Sequence, residues 1–348
     1  MRHIEKRICY LVLAILPFTL SGCVSQSQTE RMADLFEQYP VSEMPNDWEK
    51  QGVSATYYGT STIVFDDGVS SVLIDGFFSR PSIIPALFGQ MQQIKRDQSN
   101  EIFSSHSKLE GVVVLHSHHD HAMDAPCIAN YHDAYLIGSD STLKILCGAK
   151  EIKRPKSPIF SQSEVSEPIV LGNFTVTLIQ SVHGELPGIA AWYVGIEKHI
   201  TEKLVMPSRL SKFKEGDNYA VLIEHPKGNS LVVGSAAVIS GNIERATNRE
   251  PIEIDWLFFG VGKLSKQASE QYLTALLATK PKNMTPIHWD SFSAQPQSGE
   301  LPLPTWPFGN AADAIGLVLS YRAQYQSANS ETGFTLLNYQ QAVCVGCK

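Results

Sequence analysis

Residues 111–121 read Gly-Val-Val-Val-Leu-His-Ser-His-His-Asp-His, an apolar run that ends in a cluster of histidines. The apolar part has the length and composition of a strand buried in a sheet. Four of the chain's 11 histidines and one aspartate lie in the last six positions of this stretch. A buried strand delivers these side chains to one edge of a sheet, where a loop can fold several of them inward. The stretch therefore predicts a metal site at the end of a buried strand.

The spacing within the cluster favours two neighbouring metal positions. His116 and His118 are two residues apart, and on an extended backbone such side chains point to the same side. We expect this pair to bind one ion, while the adjacent Asp120 and His121 face a second. Imidazole and carboxylate groups suit Zn²⁺ and related borderline metals. A solvated histidine-rich loop is the alternative interpretation, but it does not explain why the cluster starts where a buried strand ends.

Short strands and helices on both sides of this stretch indicate two sheets between layers of helices. Three β-rich runs precede it, and turn residues separate them, which favours an antiparallel opening. Strand-like and helix-like segments alternate after it. Besides the opening stretch, the β-rich runs cover 55–58, 62–65, 71–74, 134–138, 173–181, 219–224, 230–234, 254–259, 284–287 and 334–337. The pattern predicts an α/β fold of the α+β type in which two sheets are sandwiched between helices.

His-x-His-x-Asp-His directly after an apolar strand resembles the signature of the metallo-β-lactamase superfamily, whose fold is an αββα four-layer sandwich. Three further motifs extend the resemblance to roughly residues 53–300. A strand ends at Asp75 in Leu-Ile-Asp, an isolated histidine stands at His183 in Gln-Ser-Val-His-Gly, and a late strand ends at His288 in Pro-Ile-His-Trp-Asp. The resemblance implies one metallo-β-lactamase-like hydrolase domain from residue 51 to residue 348.

The same resemblance implies which residues bind metal. The six implied ligands form two sets, His116, His118 and His183 for the first ion and Asp120, His121 and His288 for the second. Asp75 would orient the ligand loop through hydrogen bonds. His119 occupies a variable position of the motif and is not expected to bind metal. Zinc is the implied metal, as one or two ions, with iron or manganese as the alternatives.

One position departs from the pattern of the superfamily. Many dinuclear members carry a bridging aspartate in a Gly-Asp pair after a strand, and here the matching stretch, 232–235, reads Val-Val-Gly-Ser. The hydroxyl of Ser235 is neutral and a poor metal ligand. Two interpretations stay open: water or hydroxide alone joins two ions, or the second ion binds weakly and the working enzyme is mononuclear.

The chemistry that follows from such a site is hydrolysis. A metal lowers the pKa of its bound water towards neutrality, from about 15.7 in bulk water. The resulting hydroxide would attack an ester, lactone, amide or phosphoester in a small-molecule substrate, and Asp120 would orient it and accept its proton. Two other functions stay open: a mononuclear iron oxidoreductase of the dioxygenase type, and a non-catalytic metal-binding surface lipoprotein.

The N-terminal residues predict export and lipid attachment. Three basic residues among the first seven precede an apolar run over 8–20, which is too short for a bilayer that needs about 20 apolar residues. Leu-Ser-Gly-Cys, ending at Cys23, resembles a bacterial lipobox. The resemblance implies a signal peptide over 1–22 and acylation of Cys23; an ordinary cleaved signal or a weak membrane anchor is the alternative. Residues 23–50 begin polar and are partly helical over 31–38, which favours a tether. We therefore expect a lipid-anchored protein of the bacterial cell envelope, on the outer membrane and facing the periplasm.

Composition limits the partners and the redox setting. The formal net charge of −7 argues against nucleic acid as a partner, because phosphate-binding surfaces need a basic excess. Four cysteines remain if Cys9 leaves with the signal peptide and Cys23 is acylated: Cys127, Cys147, Cys344 and Cys347. An oxidising compartment permits disulfides among them. Their pairing stays open, and the terminal Cys-Val-Gly-Cys is either a disulfide or two free thiols.

Overall fold

A computed structural model of the chain describes residues 26–148, 164–184, 198–248, 252–262, 264, 266–304, 309–326 and 332–347. The predicted signal peptide over 1–22 and the predicted acylation site Cys23 lie outside these residues. No helix in the described part of the chain is long and apolar enough to cross a membrane.

The described residues form strands and helices in the following order. The strands are β1 Val53–Tyr57, β2 Ile63–Asp66, β3 Ser70–Ile74, β4 Lys108–Val113, β5 Tyr135–Ile137, β6 Ile169–Leu171, β7 Phe174–Ser181, β8 Asn218–Glu224, β9 Ser230–Val233, β10 Trp256–Gly260, β11 Asn283–Ile287, β12 Gly333–Phe334 and β13 Ala342–Val345. The helices are α1 Gln26–Gln38, α2 Trp48–Gln51, α3 Ile83–Phe88, α4 Arg96–Phe103, α5 His119–Ala122, α6 Ala125–Tyr131, α7 Ser240–Asn248, α8 Lys266–Leu277 and α9 Ala311–Gln326.

Two mixed sheets are built from these strands, and each has an antiparallel and a parallel half. The first sheet has the order β13-β1-β2-β3-β4-β5. Strands β13 to β3 pair antiparallel in it, as the opening runs predict, and β3, β4 and β5 pair parallel. The second sheet has the order β12-β11-β10-β9-β8-β7-β6. Its strands β9 to β12 pair parallel, and β6 to β9 pair antiparallel.

Apolar side chains from both sheets fill the space between them. Strand β2 shows the alternation that this requires: Ile63 and Phe65 point into the main core, and Val64 points to the opposite face. Phe65 meets Phe258 of β10 edge to face, with ring centroids 5.6 Å apart. A second core lies between the outer face of the first sheet and helices α3 to α6, and helices α7 to α9 cover the second sheet. The architecture is the predicted αββα sandwich.

Helix α1 packs against the domain, which differs from the tether predicted over 23–50. Met32 is 2% exposed and belongs to the main core, with Leu35 and Phe36 packed beside it. Arg31 forms an ion pair with Asp313 of α9 at 2.6 Å. The apolar residues at 32, 35 and 36 lie on one face of a helix, and burial of this face holds the segment on the body.

The described residues contain two disulfides, both between cysteines close in sequence. Cys127 of α6 bonds to Cys147, with the Cα atoms 4.7 Å apart and a separation of 20 residues. Cys344 bonds to Cys347, with the Cα atoms 5.5 Å apart. The first disulfide links α6 to the segment that follows β5. The second links Cys344 in β13 to Cys347, two residues after the strand ends.

We expect Met32→Ala to lower the free energy of unfolding by about 2–5 kcal/mol, the usual range when a buried methionine is truncated to alanine. The truncation leaves a cavity between α1 and the core. Chemical denaturation of the mature chain measures the change, and Asp34→Ala, at an exposed position of the same helix, is the matched control. Equal stability of Met32→Ala and the parent protein would mean that α1 behaves as a tether in solution.

Candidate metal centre

The histidines and aspartates singled out in the sequence lie at one edge of the sandwich, where strands of both sheets end. In the first sheet, β3 ends directly before Asp75, and β4 ends three residues before His116. In the second sheet, β7 ends two residues before His183, β9 two residues before Ser235, and β11 directly before His288. Strands β7, β9 and β11 run in the same direction. Their carboxyl ends therefore meet at the same edge.

The first group of donors consists of three imidazoles, those of His116, His118 and His183. One ring nitrogen of each lies within 4.8 Å of one ring nitrogen of the other two. Nε2 of His116 and Nδ1 of His118 are 3.0 Å apart. Two nitrogens that bind one tetrahedral zinc at about 2.0–2.1 Å stand about 3.3 Å from each other. The spacing therefore suits a shared ion. The Nδ1–H of His183 donates to the carbonyl oxygen of Gly184 at 2.6 Å, which leaves Nε2 as the nitrogen that can bind metal.

Asp120, His121 and His288 form the second group. Oδ2 of Asp120 lies 3.3 Å from Nε2 of His288 and 3.9 Å from Nε2 of His121. The two groups adjoin, because the ring centroids of His116 and His121 are 3.8 Å apart. The structure thus brings all six side chains of the predicted ligand set together, in the two sets that the resemblance implies.

Asp75 lies behind the second group and is completely buried. Its Oδ2 accepts hydrogen bonds from Nδ1–H of His121, at 2.7 Å, and from the hydroxyl of Ser61. Its Oδ1 accepts the backbone N–H of Leu115 at 2.8 Å. With Nδ1 of His121 protonated, the lone pair of its Nε2 is turned towards Asp120. These are the hydrogen bonds that the predicted orienting role of Asp75 requires.

Burial controls the protonation of the donors. Burial first, and then the neighbouring histidine rings, lower the pKa of His116 and His118 well below the ordinary value. Burial raises the pKa of Asp120, but the surrounding histidines, of which His121 contributes most, outweigh this and hold that pKa well below its usual range. Neutral imidazoles and an ionised carboxylate are the forms that bind metal.

These donors fit a bound metal ion. Nε2 of His116 and Nδ1 of His118 face each other, and a shared ion would take the lone pairs of both. The opposite nitrogens, Nδ1 of His116 and Nε2 of His118, are buried and have no hydrogen-bond partner within the described ranges. Five imidazoles and one carboxylate are nitrogen and oxygen ligands that zinc prefers and that iron and manganese also accept.

Ser235 follows a glycine that packs directly on the centre. A Cβ atom on Gly234 would lie 2.5 Å from Cδ1 of Leu115 and 3.6 Å from Cε1 of His121, so a larger residue there would require the Leu115 side chain to move. Among the described residues, the two groups contain no carboxylate besides Asp120. The bridging aspartate of many dinuclear proteins of this fold has no counterpart at this position.

A buried ion pair that the sequence analysis did not find lies behind His288. Arg80 Nη2 and Asp290 Oδ2 are 2.8 Å apart, and their side chains are 1% and 0% exposed. Oδ1 of Asp290 accepts the backbone N–H of Thr60 at 2.7 Å and the hydroxyl of Tyr57 at 3.1 Å. The backbone N–H of His288 donates to the carbonyl oxygen of Thr60 at 2.6 Å. The network fixes the backbone of His288, which has a left-handed φ of +58°.

His119, the remaining histidine of the cluster, belongs to neither group of donors. Its ring lies between those of Phe77 and Phe292, with centroids 5.5 and 5.7 Å away. Nδ1 of His119 is 3.5 Å from Oδ1 of Asp120. Its contacts are thus mainly aromatic packing, next to the one carboxylate of the centre.

No protein-family model and no curated protein matches the chain, whereas many solved structures do. A possible metal-dependent hydrolase from Veillonella parvula DSM 2008 superposes with a TM-score of 0.51 at 13% identity, over 84% of this chain and 100% of that one. A metal-dependent hydrolase of the β-lactamase superfamily, Tm1679, gives 0.44 at 12% identity, over 84% and 99%. CmlA, a diiron β-hydroxylase from Streptomyces venezuelae, gives 0.46 at 10% identity, over 85% and 54%.

The chain forms an αββα sandwich and shares this fold with the Veillonella parvula structure. This confirms the fold that the histidine motif implies. At these identities the likeness concerns the fold, and the function of the centre is argued from its own residues. In this sandwich, the six donors and Asp75 lie at the edge where strands of both sheets end.

We expect Asp75→Asn to weaken the binding of metal to the second group by about 10- to 100-fold, as loss of a supporting carboxylate usually does. The amide removes the charge that holds the Nδ1 proton of His121. Competition with a chromophoric chelator measures the affinity, and Asp34→Asn, far out on α1, is the control for the loss of one carboxylate. Thermal unfolding of the metal-free proteins checks that both variants fold, and unchanged affinity in Asp75→Asn would contradict the orienting role.

We expect Arg80→Met to cost about 3–5 kcal/mol of unfolding free energy, because it leaves the buried Asp290 charge without a partner. The double variant Arg80→Met/Asp290→Asn removes both charges and should recover part of this loss. Denaturant titrations of the three proteins measure the effect. A double variant no more stable than Arg80→Met would show that the pair of charges is not the source of the loss.

Proposed function

We propose that the protein is a metal-dependent hydrolase with its working centre between the two groups of donors. The observation that carries the proposal is their arrangement: three imidazoles on one side, and a carboxylate with two imidazoles on the other, meet at the contact between His116 and His121. Zinc, as one or two ions, is the metal we propose, with iron or manganese as the alternatives. Three imidazoles, His116, His118 and His183, would hold the first ion, and Asp120, His121 and His288 the second.

The residues of the centre have separate tasks in this reaction. A bound metal supplies a Lewis acid that polarises the substrate oxygen and makes water acidic near neutral pH. Asp120 stays ionised, and its Oδ2 faces the histidines of the second group. Its Oδ1 is then the atom that orients the attacking water and takes its proton. Asp75 keeps His121 in the tautomer that has its lone pair on Nε2.

The substrate we propose is a small molecule with an ester, lactone, amide or phosphoester bond, since all four react through attack of water at a polarised carbon or phosphorus. We further propose that the protein acts in the bacterial cell envelope, anchored on the outer membrane through Cys23 and facing the periplasm. Two disulfides support an oxidising compartment, because such bonds are rare in the reducing cytosol.

We expect Asp120→Asn to lower turnover of the metal-loaded protein by about 10²- to 10⁴-fold, the usual contribution of a general base. A panel of chromogenic esters, lactones, amides and phosphodiesters identifies the reaction in the parent protein, and the best substrate is then used for the variant. His199→Ala removes an exposed histidine outside both groups and is the matched control, with activity expected to equal that of the parent. Equal turnover in the parent and in Asp120→Asn would contradict the assigned mechanism.

Metal content, measured in the same preparations after native purification, separates the hydrolase from the oxidoreductase alternative. Zinc together with turnover that is independent of oxygen supports the proposal. Iron together with turnover that consumes oxygen would overturn it. A fully metal-loaded protein that is inactive on the whole panel would favour a non-catalytic metal-binding protein.

A further inference from the structure

Helix α3 presents two large apolar side chains to solvent. Ile84 is 64% exposed and Phe88 is 71% exposed. They are one helical turn apart and therefore share a face. Ala86, on the other side of the helix, is 2% exposed against the second core. Neighbouring exposed apolar side chains of this size are typical of an interaction surface.

The segment beside α3 adds a further exposed apolar residue and a concentration of positive charge. The backbone N–H of Met91 donates to the carbonyl oxygen of Ser208 at 3.1 Å, and a Cβ on Gly89 would lie 3.8 Å from the Arg209 side chain. Val205 in this segment is 42% exposed. Residues 203–214 contain no acidic residue and four basic ones, Lys203, Arg209, Lys212 and Lys214. The chain as a whole carries −7, so this concentration of charge is local.

Helix α3 and residues 203–214, here called the basic apolar surface, belong to the edge of the sandwich that carries the metal centre. The backbone N–H of Ser117, inside the ligand run, donates to the carbonyl oxygen of Glu215 at 2.7 Å. Asp124, just after this run, accepts hydrogen bonds from three backbone N–H groups that flank α3, those of Phe78, Ser79 and Ile94. The exposed face of α3 is thus held firmly beside the centre.

The N-terminal helix begins at the same edge. The side-chain amide of Gln28 donates to the carbonyl oxygen of Pro304, and Arg31 pairs with Asp313 in the first turn of α9. Pro304 lies in the connection that follows His288, and Asp313 lies in the helix to which this connection leads. Cys23 is three residues before the start of α1, and an extended chain covers about 11 Å in three residues. A lipid anchor on Cys23 would therefore stay close to this edge.

The geometry points to docking of the basic apolar surface on a phospholipid bilayer that contains anionic headgroups. Ile84 and Phe88 enter the boundary between headgroups and acyl chains, and Arg209 and Lys212 lie among the anionic headgroups. The anchor at Cys23 and this surface then contact one membrane, and the edge that carries the metal centre faces the bilayer. The proposal goes beyond hydrolysis and does not depend on it.

The test uses the full mature chain, purified in detergent, with intact mass recording the acylation of Cys23, and reconstituted into phosphatidylethanolamine–phosphatidylglycerol vesicles. Phe88→Cys introduces a thiol for an environment-sensitive fluorophore, because the cysteines in the described residues are paired in disulfides. Val69→Cys is the matched control, since Val69 is also 71% exposed but lies before β3, at the opposite edge. Lipids brominated in their acyl chains quench only a label that enters the bilayer.

We expect a blue shift and quenching for the label at position 88, and neither for the label at position 69. Equal quenching at both positions, or none at position 88, would overturn the proposal. Absence of quenching in these vesicles, which contain no other protein, would also reject lipid as the occupant and favour a protein partner. No activity is measured, so failure of docking and failure of the proposed hydrolase are distinguishable.

The basic residues are tested by Arg209→Glu/Lys212→Glu in the Phe88→Cys background. Each basic side chain near an anionic surface contributes roughly fivefold to membrane partition, so the double charge reversal should remove most of the quenching at position 88. Vesicles of phosphatidylcholine alone are the control, because the parent should lose the same contact there. Unchanged quenching of the reversed protein on anionic vesicles would overturn the assignment of these residues to the headgroups.

Discussion

The hydrogen bonds of the Asp75 carboxylate hold the metal centre in place. Its two oxygens join three separate parts of the first sheet's edge: the Ser61 hydroxyl between β1 and β2, the backbone of Leu115 after β4, and the His121 ring. Asp75 also has a φ of +57°, in the left-handed region that non-glycine residues seldom adopt. A residue in that conformation persists only where its surroundings hold it, and here the buried hydrogen bonds do so. The carboxylate therefore sets the turn after β3 and the direction of a metal donor together.

Packing between the two sheets decides the size of the centre. Each group of donors takes two residues from the single run after β4 in the first sheet and one histidine, His183 or His288, from the end of a strand in the second. The distance between the sheets is set by interdigitated side chains such as Phe65 and Phe258. Close-packed interiors transmit small shifts, so a change in this core moves two donors relative to the other four. Packing in the core therefore determines the geometry of the metal site.

Local sequence was enough for the fold and for the position of the centre, because both depend on short patterns. An apolar run with a histidine cluster at its end, and isolated histidines after later strands, can be recognised in a single sequence. The Arg80–Asp290 pair has no such pattern, since its members are 210 residues apart and only folding reveals that they meet. The packing of helix α1 against the domain was not predicted for another reason, although the sequence indicates partial helix over 31–38. Its apolar face is short, three residues around Met32 in an otherwise polar segment, and its burial comes from contact with α9.

Ser235 is neutral where many dinuclear centres have an aspartate, and this affects the net charge that a substrate meets. Five of the six donors are imidazoles, and those of His116 and His118 are kept neutral by burial, so Asp120 is the one carboxylate among them. Two divalent ions on such donors would leave a net positive charge, because Asp120 and the buried Asp75 supply only two negative charges and no bridging carboxylate adds a third. A low-dielectric site with excess positive charge favours an anionic ligand. Of the four substrate classes proposed, a phosphoester is the one whose own charge complements this arrangement, and the same sign of charge recurs on the basic segment beside α3.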